Sequence, residues 1–322
     1  MNQNIIPIFL TSDDNYIPYL CVAIKSITDH CNPQLTYRVH VLNNGLTQSN
    51  MDKVKTFETD FLTIEFDDVT AQIKPYKAAM DKALRDYYSD AIFYRIFIPK
   101  MFPQYHKAIY IDSDVVVLTD IANLFNVDLK DNYLASVLDE VAPSQPVLVD
   151  YVENAVGIPI NQYFCSGVDL FNLDAMRAQQ VEEKFIALLM TYNFETIAPD
   201  QDYLNVICKD HVLYLHPGWD KQANPTPYND ALYIVHYNMF MKPWLYFDVP
   251  YEKYFWQYAQ ETPFYQDLLK KRENYTEAQR QADLMGAQKM GETCAAILTK
   301  PHTFKQILAH TTIDEVLAKY RK

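Results

Sequence analysis

This chain is poor in the features that staple or span. It has five cysteines, an odd number, with no CxxC spacing, so a disulfide framework is excluded and buried thiols in a reducing compartment are expected. No apolar run approaches the roughly 18 residues of a membrane-crossing helix. Met1 to Leu10 carries neither a basic start nor a long apolar stretch, so no leader is expected and the cytoplasm is the expected location. Basic charge is also short: 28 Lys and Arg face 41 Asp and Glu, a formal net charge of −13. Binding nucleic acid by phosphate neutralisation is therefore excluded, since no basic stripe occurs before Lys270. There are six glycines, none followed by Asp, and no internal repeat or low-complexity segment. What remains is ample: 322 residues, 49% hydrophobic, with 25 Tyr and 17 Phe, enough for a sizeable core. So many tyrosines suit a carbohydrate-facing surface or simply a Tyr-rich core.

The most informative stretch is Tyr110-Ile111-Asp112-Ser113-Asp114-Val115-Val116-Val117-Leu118. Charges inside an apolar β-branched run are unfavourable unless paired or bound to a cation. Read as one strand, the run puts Asp112 and Asp114 on the same side, about 6–7 Å apart. Two like charges held that close are poised for a divalent cation with oxygen ligands, and so for chemistry on a phosphate-bearing substrate. Two other readings compete. One is the DxDxT or DxDxV nucleophile of a haloacid-dehalogenase-type phosphatase, which needs the motif near the domain start and a downstream Gly-Asp. The other is a solvated turn, against which the Val115–Leu118 run argues.

Around this pair the chain alternates. Strands are expected at Ile5–Leu10, Tyr37–Leu42 and Thr63–Phe66, with a helix from Ile17 to Ile27 and another capped by Thr47 and running to about Phe57. That order implies a parallel sheet with helices on its faces and ligands beyond the strands' carboxyl ends. Further on come a helix at Ala91–Phe102, strands at Leu134–Val141 and Phe164–Asn172, and a helix from Asp174 to Met190. Short strands at Leu213–Leu215 and Tyr233–Val235 flank a Pro-rich loop, 217–227. From about Tyr251 the pattern is helical only, including an apolar stripe from Phe304 to Tyr320. The expected organisation is a 1–250 catalytic domain and a 251–322 helical extension.

Three further groups bear on chemistry. His236 follows a strand; one imidazole added to two carboxylates suits Mn²⁺ better than an all-oxygen Mg²⁺ site, and Lys242 can meet a phosphate as a point charge. Asp200-Gln201-Asp202 opens a helix with more polar groups than capping needs. Arg95 lies among Phe93, Tyr94, Ile96 and Phe97, and is either paired with an acid or aimed into a site.

Taken in order, these segments resemble glycosyltransferase family 8. The resemblance covers residues 5 to about 245. Thr11-Ser12-Asp13-Asp14-Asn15-Tyr16 looks like the N-terminal nucleotide motif, and Arg95 matches the donor-site arginine. Tyr110 to Asp114 matches the DxD strand. Phe164-Cys165-Ser166-Gly167-Val168 resembles FNAGV or FNSGV. Asp200-Gln201-Asp202-Tyr203-Leu204-Asn205 matches DQDxLN, and His236-Tyr237 with Lys242-Pro243-Trp244 matches HYxGxxKPW.

The resemblance implies a GT-A fold and a retaining, metal-dependent hexosyltransferase that uses a UDP-sugar (glucose or galactose) with Mn²⁺ or Mg²⁺ and a glycan or glycoconjugate acceptor. Carried over by position, Asp112, Asp114 and His236 would ligate the metal. Thr11, Asp13, Asn15 and Tyr16 would hold the nucleotide, with Tyr16 stacking on the base. Lys242 would reach the diphosphate, and Arg95, Asp112, Ser113, Cys165 and Ser166 would complete the donor site. Asp139 and Asp200 would hold the sugar, and Gln201 would lie under the anomeric carbon. The alternative on the same fold is a UDP-sugar-binding protein with little or no turnover. Two positions depart from the pattern: Cys165 replaces an Asn, and Met239 replaces a Gly. The C-terminal segment, with Lys270-Lys271-Arg272 and Lys319-Tyr320-Arg321-Lys322, is read as a helix packed on the catalytic domain or as a peripheral contact with a membrane or partner.

Overall fold

The computed structural model describes residues 5–84 and 89–322; residues 1–4, part of the leaderless N-terminus expected above, lie outside the described residues. Ten strands are described, in chain order β1 (Ile5–Thr11), β2 (Thr36–Asn43), β3 (Leu62–Asp68), β4 (Lys107–Ile111), β5 (Val115–Val117), β6 (Leu134–Leu138), β7 (Phe164–Asn172), β8 (Val212–Tyr214), β9 (Lys221–Gln222) and β10 (Ile234–His236). Seven form one sheet in the order β3-β2-β1-β4-β7-β6-β8. All its pairings are parallel except those of β7, which runs antiparallel to β4 and β6. The remaining three make a small sheet, β5-β10-β9.

Both faces of the large sheet are covered, and side chains alternate between two cores. Ile8 and Leu10 of β1, Ile109 and Ile111 of β4, and Val168 and Leu170 of β7 enter one. Phe9, Tyr110 and Phe171, their neighbours in sequence, enter the other. A period of two with both faces buried explains why these strands read as near-continuous apolar runs. The helix Ile17–His30, with Pro18 in its first turn, packs against the small sheet. Its buried Ser26 accepts the backbone N–H of Val117 at 2.9 Å and donates to Ala23 O at 2.7 Å, tying helix to β5.

Several expected elements differ in detail. The aspartate pair is not inside a strand. β4 stops at Ile111 and β5 starts at Val115, so Asp112, Ser113 and Asp114 form the step by which the chain leaves the large sheet for the small one. The Arg95 segment is a 3-10 helix, Asp90–Phe97, followed by a short α-helix, Ile98–Met101. β6 ends at Leu138, leaving Asp139 and Glu140 beyond the sheet. Thr47 sits at the N-cap of helix Gln48–Lys55, but its hydroxyl bonds Asp14 instead of capping. The helix expected from Asp174 is two, Leu173–Ala178 and Val181–Thr191, broken where Gln180 adopts φ +58°. The Pro-rich loop contains a 3-10 turn, Pro217–Asp220, and β9.

After residue 250 the chain is helical. Helix Glu277–Leu298 opens on a capping box between Thr276 and Gln279 and packs on helix Pro146–Tyr151. The apolar stripe divides between helices Phe304–Leu308 and Ile313–Tyr320, and its Phe304, Val316 and Leu317 are buried within the protein. Among the described residues no helix is long and apolar enough to cross a membrane. The Ser26–Val117 tie yields a stability prediction. Ser26→Ala leaves a buried N–H without its acceptor and should lower unfolding free energy by about 1–3 kcal/mol in urea titrations; an unchanged midpoint would contradict that role.

Candidate active site

A cavity of about 270 Å³ opens beyond the ends of β1, β4 and β6. Of the residues expected in the site, Thr11, Asp13, Tyr16, Arg95, Asp112, Ser113, Asp114, Asp139, Cys165, Ser166, Asp200, Gln201, His236 and Lys242 all line it. Asn15 does not: it is exposed, and its backbone N–H donates to Asp13 Oδ1 at 2.8 Å, closing the turn after β1.

The aspartate step is fixed by its backbone. Asp112 N donates to Gly167 O at 2.8 Å, Ser113 Oγ to Thr11 O at 2.6 Å, and Tyr237 N to Asp114 O at 2.9 Å. Both carboxylates then meet cations. Arg95, 2% exposed, donates from Nη2 to Asp112 Oδ1 at 2.7 Å, pairs through Nε with Asp200 at 3.2 Å and lies over the Tyr110 ring at 4.0 Å. Tyr110 also donates its hydroxyl to Asp112 at 2.7 Å. So Arg95 does both things its sequence allowed: it is paired, and it faces the cavity. Lys242 Nζ sits 2.5 Å from Asp114 Oδ2, and Tyr16 donates its hydroxyl to the same oxygen at 3.2 Å.

His236 completes the cluster. Its Nε2 lies 3.3 Å from Asp114 Oδ1 and 3.7 Å from Asp112 Oδ2, while Nδ1 lies 2.9 Å from Asp220 Oδ1. Burial works to raise the Asp114 carboxyl, but Lys242 and His236 outweigh it and hold that group well below the usual carboxylate range. For Asp112, burial wins over Arg95 and His236 and the group is raised. Burial would lower His236, yet Asp220 and Asp114 reverse that and raise it well above the ordinary imidazole range. The donor set fits a divalent cation: carboxylate oxygens of Asp112 and Asp114 and a ring nitrogen of His236 lie within 4.8 Å of one another. The Nδ1–Asp220 contact aims Nε2 at the pair, as carboxylates bonded to the far nitrogen of metal-binding imidazoles do. Asp220 stood in a segment read as loop, with nothing in its local sequence to mark it. Gly167 is equally necessary, because a Cβ there would lie 2.2 Å from His236 Cε1.

On the other side of the cavity Gln201 is held at both ends of its amide. Oε1 accepts from Ser166 N at 3.1 Å and Nε2 donates to Asp139 Oδ2 at 3.3 Å. Asp139 Oδ1 in turn accepts the N–H groups of Val141 and Ala142 at 2.9 and 2.7 Å. Ser166 Oγ donates to Asp200 Oδ2 at 3.2 Å, and Asp202 is drawn away to Tyr151 and Tyr163. Burial pushes Asp202 up to about 6 despite those two bonds.

The strand order, the antiparallel β7 and the acidic step beyond β4 define a GT-A fold. The family model for glycosyl transferase family 8 matches residues 7–248. The chain belongs to that family and is a glycosyltransferase enzyme. It is 28% identical over 265 residues to general stress protein A of Bacillus subtilis, covering 75% of this chain and 88% of the relative. It is 26% identical over 253 residues to lipopolysaccharide 1,2-glucosyltransferase of Escherichia coli, covering 72% and 70%. Among solved structures, the galactosyltransferase LgtC in its active-site mutant form superposes with TM-score 0.66 and 23% identity, over 80% of this chain and 96% of that one. The bifunctional glycosyltransferase WbbM superposes with TM-score 0.73 and 22% identity, over 84% of this chain; the match spans 52% of WbbM.

Met239, at the position where the family pattern has glycine, has φ +59°. The loop therefore keeps a backbone conformation that favours glycine while carrying a side chain, at a strain of about 1 kcal/mol or more. Met239→Gly should raise stability by about 0.5–1 kcal/mol in thermal or denaturant unfolding, after allowing for the added freedom of the unfolded chain. A loss of stability would show that the Met239 side chain contributes more packing than its backbone stores in strain.

Proposed function

We propose that this chain is a retaining hexosyltransferase that moves glucose or galactose from a UDP-sugar to a hydroxyl of a glycan or glycoconjugate, with a divalent cation held by Asp112, Asp114 and His236. The observation that carries this reading is the single cavity in which that donor set and Lys242 face the pinned amide of Gln201. Two carboxylates with an imidazole suit Mn²⁺ better than Mg²⁺, which favours all-oxygen octahedral sites. A bound cation would supply positive charge to the diphosphate as the sugar bond breaks.

The protein groups then divide the work. Lys242, now paired with Asp114, is placed to shift to the departing diphosphate and stabilise it. Thr11, Asp13 and Tyr16 line the nucleotide end, with Asn15 at its rim. Arg95, Asp139 and Asp200 orient the sugar hydroxyls. Gln201 is a neutral amide and a poor covalent nucleophile. Its Oε1 keeps a lone pair free of the Ser166 N–H and is suited to stabilise a positively charged anomeric carbon. Retention then follows by front-face substitution, with the leaving phosphate taking the acceptor's proton. An active-site glutamine is the residue altered in one LgtC structure, which agrees with this assignment. The E. coli relative named as a glucosyltransferase and LgtC named as a galactosyltransferase support a hexose donor. We further propose the 1–250 segment as the catalytic unit and 251–322 as an extension that closes one wall of the cavity, to which Met290 contributes. The protein would act in the cytoplasm; the burial of Phe304, Val316 and Leu317 in its last helices favours packing over membrane contact.

The test is UDP release from a panel of UDP-sugars, with Mn²⁺ and with EDTA. One UDP-hexose should be hydrolysed slowly, and EDTA or Asp114→Ala should reduce release at least about 100-fold. Metal-independent release, or nucleotide binding with no release from any UDP-sugar in the presence of glycan acceptors, would overturn the proposal.

A further inference from the structure

On the face of His236 turned away from Asp112 and Asp114, three ligating groups meet. Cys165 Sγ, an Asp220 carboxylate oxygen and a ring nitrogen of His236 lie within 4.8 Å of one another, and all three residues are buried. Asp220 is 0% exposed, and its Oδ2 has no hydrogen-bond partner although Oδ1 bonds His236 Nδ1. A buried carboxylate oxygen left without a donor is unfavourable and calls for a positive partner. Cys165 also lines the cavity, so an ion has a route in. The comparison within this molecule is the His40, Glu65 and Asp67 cluster, whose spacing is similar. There Glu65 is exposed and Asp67 half-buried, so water can reach their carboxylates, whereas Asp220 is fully buried with one oxygen left without a donor.

We propose that Cys165, Asp220 and Nδ1 of His236 form a second metal site, for a thiophilic divalent cation such as Zn²⁺, back to back with the Asp112–Asp114–His236 site. The ligand types are those of zinc centres, with about 2.3 Å to sulfur and about 2.0–2.2 Å to nitrogen and oxygen. Tetrahedral ligand separations of roughly 3.3–3.8 Å follow from those lengths, so Nδ1 and Asp220 Oδ1, now 2.9 Å apart, would open slightly, and any pair near the 4.8 Å limit would close. Three protein ligands leave the fourth position for water from the cavity. Thiolate selects Zn²⁺ or Co²⁺ over Mn²⁺ and Mg²⁺.

Occupancy has a consequence for catalysis, and this part rests on the proposed metal role of His236. A neutral imidazole offers one lone pair. With a cation on Nδ1, the thiol proton of Cys165 and the Nδ1 proton leave to solvent, and Nε2 takes up a proton from solvent, so the neutral ring carries its single proton facing Asp112 and Asp114. His236 then cannot ligate on that side. The site is thus an inhibitory one, in which a thiophilic cation withdraws one of three ligands from the catalytic cation.

Co²⁺ titration of the full-length protein tests this directly. A thiolate-to-cobalt charge-transfer absorption in the near ultraviolet should appear in the wild type and persist in Asp114→Asn, which damages only the other site. It should be absent from Cys165→Ser, or from Cys165→Ala if the serine variant does not fold, and Zn²⁺ should abolish the wild-type band. Zn²⁺ should also release half of the bound Mn²⁺, followed by electron paramagnetic resonance, at a concentration at least 10-fold lower in the wild type than in the Cys165 variant. No band in the wild type, a band of equal strength without Cys165, or loss of the band in Asp114→Asn would overturn the thiol site. Failure of Mn²⁺ to bind, with the cobalt band intact, would overturn only the catalytic reading.

Discussion

Two carboxylates, Asp112 and Asp114, stand at the cavity wall where β4 gives way to β5, their side chains 26% and 11% exposed. Like charges held close and largely out of water are unfavourable unless paired. Much of the surrounding architecture answers that constraint. Arg95 comes from the 3-10 segment at Asp90–Phe97, Lys242 from the loop after β10, His236 from β10 itself, and hydroxyls from Tyr16 and Tyr110. Each group belongs to a different element, so the acidic step also cross-links the large sheet to the small one. Under the proposed function, a divalent cation would take over the pairing of Asp112 and Asp114 and leave Lys242 free for the diphosphate.

The sheet was readable because its strands are nearly all apolar and separated by amphipathic helices. β1 and β7 show as apolar runs, whereas β3 shows by alternation, with Leu62 and Ile64 buried and Thr63 and Glu65 exposed. The acidic step was misread as part of one strand because the flanking residues, Tyr110–Ile111 and Val115–Leu118, are equally β-branched or aromatic on both sides. Local sequence carries no sign that the chain changes sheets between them. Similarly, nothing in Ala91–Phe102 separates a 3-10 from an α-helical path. The Leu173–Thr191 break depends on one left-handed residue, Gln180, that is not glycine.

The site was legible to the extent that its residues sit in motifs. Arg95, Asp112, Asp114, Gln201, His236 and Lys242 are distant in sequence, yet the fold brings them to one cavity. What sequence did not expose are the residues that aim those groups. Asp220 lies in a Pro-rich segment that looks like loop, and becomes buried only because β9 pairs with β10. Gly167 matters because His236 lies against it, a fact set by tertiary packing. Met239 gave a partial signal: a departure from a glycine position that the backbone still honours with positive φ. The helix Glu277–Leu298, outside the family-matched region, reaches the cavity through Met290 and receives Phe240 at Gly286.

The central claim is that the aspartate step and His236 act together as one cation site. The most direct measurement is pulsed electron paramagnetic resonance of Mn²⁺ added to the full-length protein. The account predicts one tightly bound Mn²⁺ per chain with nitrogen coupling from a directly bound imidazole, and loss of that coupling in His236→Gln. Bound Mn²⁺ with no nitrogen coupling, or no tight binding at all, would contradict it.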